Sequence, residues 1–256
     1  MSGPDKSTDD GRMTLGEHLE ELRRRILYAL AGFLAAMGVG LAIAPNLIGI
    51  LKAPYLHVMA RLGLEGNLVV LDVSAGLVNY LKVGFYAGIV LSSPWLFYQL
   101  WAFVAVGLYP RERRHVVWAV PTCSVLFIGG ALFFLFVVAD DVLFYLLQMS
   151  KWMGVMPLIT FSSHVSFMTS MMVVFGLAFQ TPLVIVTLRA LGIVSMRALH
   201  RYRRHVIVGI LILAALMTPP DPFSQLAMAV PMWLLYELGI LLSYLLVRGR
   251  RASEAG

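Results

Sequence analysis

Charge is what this sequence has least of. Of its 256 residues only 13% are Asp, Glu, Lys or Arg, against roughly 25% in an average soluble domain. So small a charged fraction argues against a water-soluble enzyme, and 59% apolar residues argue against a disordered chain. Cysteine is nearly absent. The single Cys123 excludes an internal disulfide and a cysteine metal cluster. His18, His57, His115, His164, His200 and His205 are scattered, and none pairs with carboxylates at metal-ligand spacing inside an apolar run. A nucleophile elbow, a phosphate loop and a GxGxxG stretch are all missing. No enzymatic activity, metal or cofactor is therefore expected. The first 25 residues carry no apolar run, so no conventional cleavable signal peptide is expected there.

What the chain has is long apolar runs, and its mean hydropathy is +0.81. At about 20 residues per membrane span, the runs near 26–44, 76–106, 116–139, 165–188, 206–217 and 226–247 predict six transmembrane helices. The expected fold is an all-α polytopic membrane protein, a single membrane domain over 1–256, with 1–25 and 248–256 outside the bilayer on one side. The first run stops before Pro45. The second contains Lys82 and Pro94 and is longer than one span needs, so it tilts, kinks or projects. The fourth is interrupted by Gln180 and Pro182. The fifth covers only about 18 Å of a roughly 30 Å hydrocarbon core, and the sixth, with Pro231 and Glu237, is a second candidate for a short span. The connecting segments near 45–75 and 140–164 include helix-compatible stretches such as 47–62, where short interfacial helices are expected.

The few charges are placed asymmetrically. Lys6, Arg12, Arg23, Arg24, Arg25, Arg111, Arg113, Arg114, Arg189, Arg197, Arg201, Arg203, Arg204, Arg248, Arg250 and Arg251 fall on one side, which is 16 of the 20 basic residues. The positive-inside rule makes that side cytoplasmic and predicts both termini there, in a cell membrane. The net charge of +6 is then a label of topology and a match to the lipid surface, with no nucleic-acid partner expected. Against this basic face the acids stand out. Glu17, Glu20 and Glu21 precede three arginines, and Glu112 sits among Arg111, Arg113 and Arg114. An anionic spot on a basic surface selects a cationic ligand. The alternative is local Glu–Arg pairing, which contributes about 0–1 kcal/mol when exposed. Within the apolar runs, Glu237 and Gln180 are the polar candidates. Glu237 is either functional or a hydrogen-bonded acid near the interface. Gln180 is either a helix–helix hydrogen bond or a docking point for a partner span.

Five motifs, in order, resemble those of the TatC family, the multi-spanning subunit of the twin-arginine protein translocase. His18 to Arg25 resembles its H-L-x-E-L-R-x-R, and Pro94 to Phe103 its P-x-x-x-Y-Q-x-W-x-F, with Pro94, Tyr98, Gln99, Trp101 and Phe103 in place. Leu108 to Arg114 resembles L-Y-x-x-E-R-R. Phe175 to Phe179 and Thr218 to Gln225, including Pro219, Pro220 and Asp221, complete the series. The resemblance implies a receptor for twin-arginine signal peptides of folded cargo, with Glu21 and Glu112 as the arginine-binding acids and Arg23, Phe103 and Arg114 in support. It further implies recruitment of TatA- and TatB-like single-span partners, self-association in a receptor complex and transport driven by the proton motive force. The chain departs from the family at Val106, where Pro is usual, at Ser74 to Asn79, where S-P-x-E-x-F is weak, and at Gln180, where many members have Glu. Gln does not titrate, so no proton-relay role falls to it.

Two other readings compete. A small-solute transporter predicts inverted repeats and midplane charges, and neither is evident. Arg23-Arg24-Arg25 before an apolar run could itself be a twin-arginine signal, but no convincing small-residue cleavage site follows and five further runs come after it.

Overall fold

A computed structural model of the chain describes residues 15–64, 68–106, 114–155, 158–217 and 222–253. Its regular structure is helical throughout. The helices are α1 (Leu15–Arg61), α2 (Ala75–Val106), α3 (Arg114–Phe133), α4 (Ala139–Trp152), α5 (Phe161–Ala178), α6 (Thr181–Ala190), α7 (Met196–Met217) and α8 (Pro222–Ser253). A π-helical turn, Phe134–Val138, joins α3 to α4 without a break. Among the described residues, five helical stretches are long and apolar enough to cross a membrane: Gly16–Arg61, Ala75–Ala105, Trp118–Trp152, Phe161–Ala190 and Gln225–Leu245. Helix α7, whose first turns carry Arg197, Arg201, Arg203 and Arg204 ahead of a short apolar half, is not among them. The all-helical, membrane-spanning fold expected from the runs is the one observed.

Helix α1 differs from its run. The apolar block ends at Ala44, yet the helix continues through Pro45 and Pro54 for 47 residues. At 1.5 Å per residue that is about 70 Å, well over twice the hydrocarbon core. A proline inside a helix removes one N–H and leaves the carbonyl four residues back without its donor. At Pro45 the donor comes from another helix. The carbonyl of Leu41, released by Pro45, accepts a hydrogen bond from the Tyr80 hydroxyl at 2.8 Å. One residue beyond Ile50, whose carbonyl Pro54 releases, the Leu51 carbonyl lies 2.8 Å from His164 Nε2 on α5. In α2, Pro94 releases the carbonyl of Val90, and the Ser93 hydroxyl donates to it at 2.8 Å. In an environment without water this replacement lets the helices run on. The segment 47–62, expected as a separate interfacial helix, is thus the far end of α1. It stops at Gly63, whose φ of +66° suits a residue without Cβ.

That end of α1 packs on α4. His57 Nδ1 lies 2.6 Å from Asp140 Oδ2, Lys151 Nζ donates to the Leu62 carbonyl at 2.6 Å, and the Arg61 guanidinium lies over the Phe144 ring. An isolated parallel bridge, Val69 to Thr160, ties the two loops at this end. Three polar contacts one turn apart join α2 to the parallel α5: Asn79 to Ser162, Lys82 to Ser166 and Tyr86 to Ser170. The apolar core lies between these helices, around Tyr55, Val58, Phe134, Leu147, Met168 and Phe175.

Small residues set the closest approach, as is common where lipid supplies no hydrophobic drive between helices. A Cβ on Gly40 would stand 2.6 Å from the Gly84 carbonyl oxygen, and one on Gly88 2.8 Å from Met37 Cα. This tight α1–α2 seam fixes the relative position of the two helices that carry the candidate site.

Candidate functional site where the start of α1 meets the end of α2

The first turns of α1 bring His18, Glu21, Arg24 and Arg25 onto neighbouring faces by their three- and four-residue spacing. Glu21 is 8% exposed. Its Oε1 accepts a 2.7 Å bond from Arg25 Nε, and its Oε2 is met by the Arg24 guanidinium. Arg25 also donates to Gln99 Oε1 at 3.1 Å. Gln99 lies on α2 and is 3% exposed, so a continuous Glu21–Arg25–Gln99 network joins the two helices. The hydrogen bond from Arg25, with the positive charges of Arg24 and Arg25, holds the Glu21 carboxyl below the usual carboxylate range against the opposing effect of its burial. The His18 and Phe103 rings stack with centroids 4.7 Å apart, closing the same junction from the other side. Trp95 Nε1 donates to the Tyr28 carbonyl at 2.8 Å, two turns further in.

The arrangement is an ionised carboxylate, held in a partly dry corner and already paired with two guanidinium groups. Arg23 is exposed beside it. A shallow, charged recess lined by Glu20, Arg23, Arg24, Leu27 and Tyr28 opens next to it. Among the described residues, no cluster of three or more His, Cys, Asp or Glu could hold a metal ion.

The Sec-independent protein translocase protein (TatC) family model matches residues 17–231. The Carboxydothermus hydrogenoformans Sec-independent protein translocase protein TatC is 35% identical over 238 residues, 92% of this chain and 94% of that one. The Escherichia coli K12 protein of that name is 34% identical, over 93% of this chain and 91% of its own. The crystal structure of the twin arginine translocase receptor TatC in DDM matches with a TM-score of 0.80 at 31% identity, over 88% of this chain and 99% of that one. The chain belongs to the TatC family. It is a multi-pass membrane subunit of the Sec-independent, twin-arginine protein translocase, a transport component rather than a catalyst.

The TatC motif residues divide into two groups by position. Glu21, Arg23, Gln99 and Phe103 come together at one end. Glu112 lies outside the described residues, as do Pro219, Pro220 and Asp221, and of Arg114 only the backbone at the start of α3 is described. Trp101 points the other way along α2, and its Nε1 donates to Cys123 Sγ on α3 at 3.2 Å. Tyr98 is exposed, with its ring 5.8 Å from that of Trp95. Pro94 sits in the unbroken α2 described above.

Gln180 occupies the break between α5 and α6. Its Nε2 donates to the Cys123 carbonyl at 2.8 Å, and its Oε1 is buried without a hydrogen-bond partner. Glu237 is not an isolated acid. Its Oε2 accepts from Arg203 at 2.7 Å, tying α8 to α7. Two members of the junction, Arg25 and His18, went unassigned in the sequence although both lie in its first motif. The signal for Arg25 was its place four residues after Glu21, an ion-pair spacing on a helix.

Proposed function

We propose that this TatC-family chain is the signal receptor of its translocase, binding the consecutive arginines of twin-arginine signal peptides at a cytoplasmic face formed by the first turns of α1 and the end of α2. The observation that carries this reading is Glu21: a nearly buried carboxylate with a guanidinium on each oxygen, on a surface otherwise rich in arginine. A guanidinium meets a carboxylate through two parallel hydrogen bonds, a geometry an ammonium cannot copy. Glu112, from the loop after α2, supplies the second acid for the second signal arginine, with Arg23, Phe103 and Arg114 in support. The basic surround weakens general cation binding and favours a ligand that fits.

In this proposal both termini are cytoplasmic, in the cell membrane, as the charge asymmetry predicts. The receptor self-associates and recruits TatA- and TatB-like single-span subunits to pass folded cargo across, driven by the proton motive force. Gln180 contributes to that recruitment by holding the α5–α6 break, since its amide N–H is committed inside the bundle.

The test compares binding of a signal peptide bearing Arg-Arg with one bearing Lys-Lys to the purified protein. Arg-Arg binding well above Lys-Lys, lost in Glu21→Ala and Glu112→Ala proteins that remain inserted, supports the reading. Equal binding of the two peptides overturns the receptor role, and unchanged crosslinking in both variants overturns the site.

A further inference from the structure

Two consecutive arginines already occupy Glu21, and they belong to the chain itself. They are not equivalent. Arg25 has 22% of its side chain exposed, and its guanidinium spans from Glu21 Oε1 to Gln99 Oε1 on α2. Arg24 has 58% exposed, and its bond to Glu21 Oε2 stays within one turn of α1. One guanidinium is built into the helix junction. The other lies on the surface and presents to the carboxylate the same chemical group that a signal arginine would present.

We propose that Arg24 is a resident surrogate for the signal, holding Glu21 Oε2 until an incoming guanidinium displaces it, while Arg25 stays in place to keep the carboxylate oriented. This rests on the receptor reading above and adds a specificity-determining residue to it. The exchange is one charged hydrogen bond for another of the same kind, so it proceeds without leaving a bare carboxylate in the dry corner. Displacement lowers the apparent affinity by the fraction of receptors in which Oε2 is open, because only those offer an incoming guanidinium an acceptor beside the Oε1 that Arg25 keeps. A lysine ammonium is a compact, strongly hydrated point charge that is attracted to the carboxylate as a whole, so it depends less on Oε2 being open. An exposed arginine–carboxylate pair holds its geometry only modestly, so the effect of Arg24 is a factor of about two to five in affinity.

The experiment measures binding of Arg-Arg and Lys-Lys signal peptides to the full chain in lipid nanodiscs, for wild type, Arg24→Gln, Glu21→Gln and the double variant. Arg24→Gln is expected to tighten Arg-Arg binding about two- to fivefold and Lys-Lys binding less. In the Glu21→Gln background the same change should have no effect, because the surrogate then has nothing to occupy. Equal tightening of both peptides would show only the removal of a repelling charge and overturns the surrogate. Unchanged or weaker Arg-Arg binding in Arg24→Gln, with Glu21→Gln still lowering it, also overturns the surrogate and leaves the receptor reading standing. If Glu21→Gln itself leaves Arg-Arg binding unchanged, the receptor site is wrong and the surrogate falls with it. Arg24→Lys keeps the charge without the guanidinium and should tighten Arg-Arg binding by a smaller factor, which guards against a folding defect in the glutamine variant.

Discussion

Replacing Gly88 by alanine tests whether the α1–α2 seam holds the Glu21 network in register. The added Cβ would stand 2.8 Å from Met37 Cα, 3.0 Å from its Cβ and 3.1 Å from its N. These atoms belong to the backbone or are fixed to it, so no rotamer change relieves the contact. Ordinary contact begins near 3.4 Å, so the helices must separate locally by about 0.6 Å, the difference between 3.4 and 2.8. Overpacking of this kind costs about 1–3 kcal/mol. For a domain of this size each kcal/mol moves Tm by roughly 2–4 °C, which gives a fall of about 2–12 °C. The same separation carried to the arginine-rich end would stretch the 3.1 Å Arg25–Gln99 bond past hydrogen-bond range, so Arg-Arg peptide affinity should fall as well. The assay is thermal unfolding of the detergent-purified protein, with Gly38→Ala and Gly49→Ala as controls. Both control glycines lie in α1 with nothing within 4 Å of a new Cβ, and alanine favours the helix by up to about 1 kcal/mol. The controls should melt at or above the wild-type temperature. A Gly88→Ala protein that melts with them would refute the tight seam and the argument built on it.

Tyr80→Phe removes the hydroxyl that satisfies the Leu41 carbonyl behind Pro45. It should cost about 1–3 kcal/mol of stability, read as a lower melting temperature, and an unchanged one would mean that the carbonyl has another donor. Gln180→Leu should reduce co-purification of single-span partners while leaving signal-peptide binding intact, and normal partner recovery would remove Gln180 from recruitment. The Glu21 carboxyl, held by Arg25 and Arg24, titrates below its ordinary value of 4.5. Its link to Arg25 is therefore present at and above that ordinary value and is lost only as pH falls through the lowered one. A carboxyl NMR titration of Glu21 with a midpoint at or above 4.5 would contradict the paired geometry.

The parts of the fold legible in the sequence were those set by composition along one dimension. Uninterrupted apolar runs show that the chain is helical and membrane-spanning, because a lone segment in lipid must satisfy its own backbone. Where the helices end was not legible, because the end of a run and the end of a helix answer to different physics. Pro45 reads as a stop, and it would be one if the Leu41 carbonyl were left bare; the donor is Tyr80, 39 residues further on, and no local pattern announces it. The seam glycines show the same limit, since Gly38 and Gly40 look alike in sequence and only one faces a neighbouring backbone. At the site, the rarity of acids on a basic face drew attention to Glu21, which the structure finds paired with Arg24 and Arg25. Functional selection and local Glu–Arg pairing stood as alternatives; the structure shows the pairing, and the proposed receptor role builds on it. Pairing with Arg24 and Arg25 is what keeps a carboxylate ionised in a corner only 8% exposed. An ionised, oriented carboxylate is in turn what a guanidinium ligand requires. A bare glutamate in that corner would drift towards its neutral form, and a fully solvated one would offer a guanidinium little beyond a weak, screened ion pair.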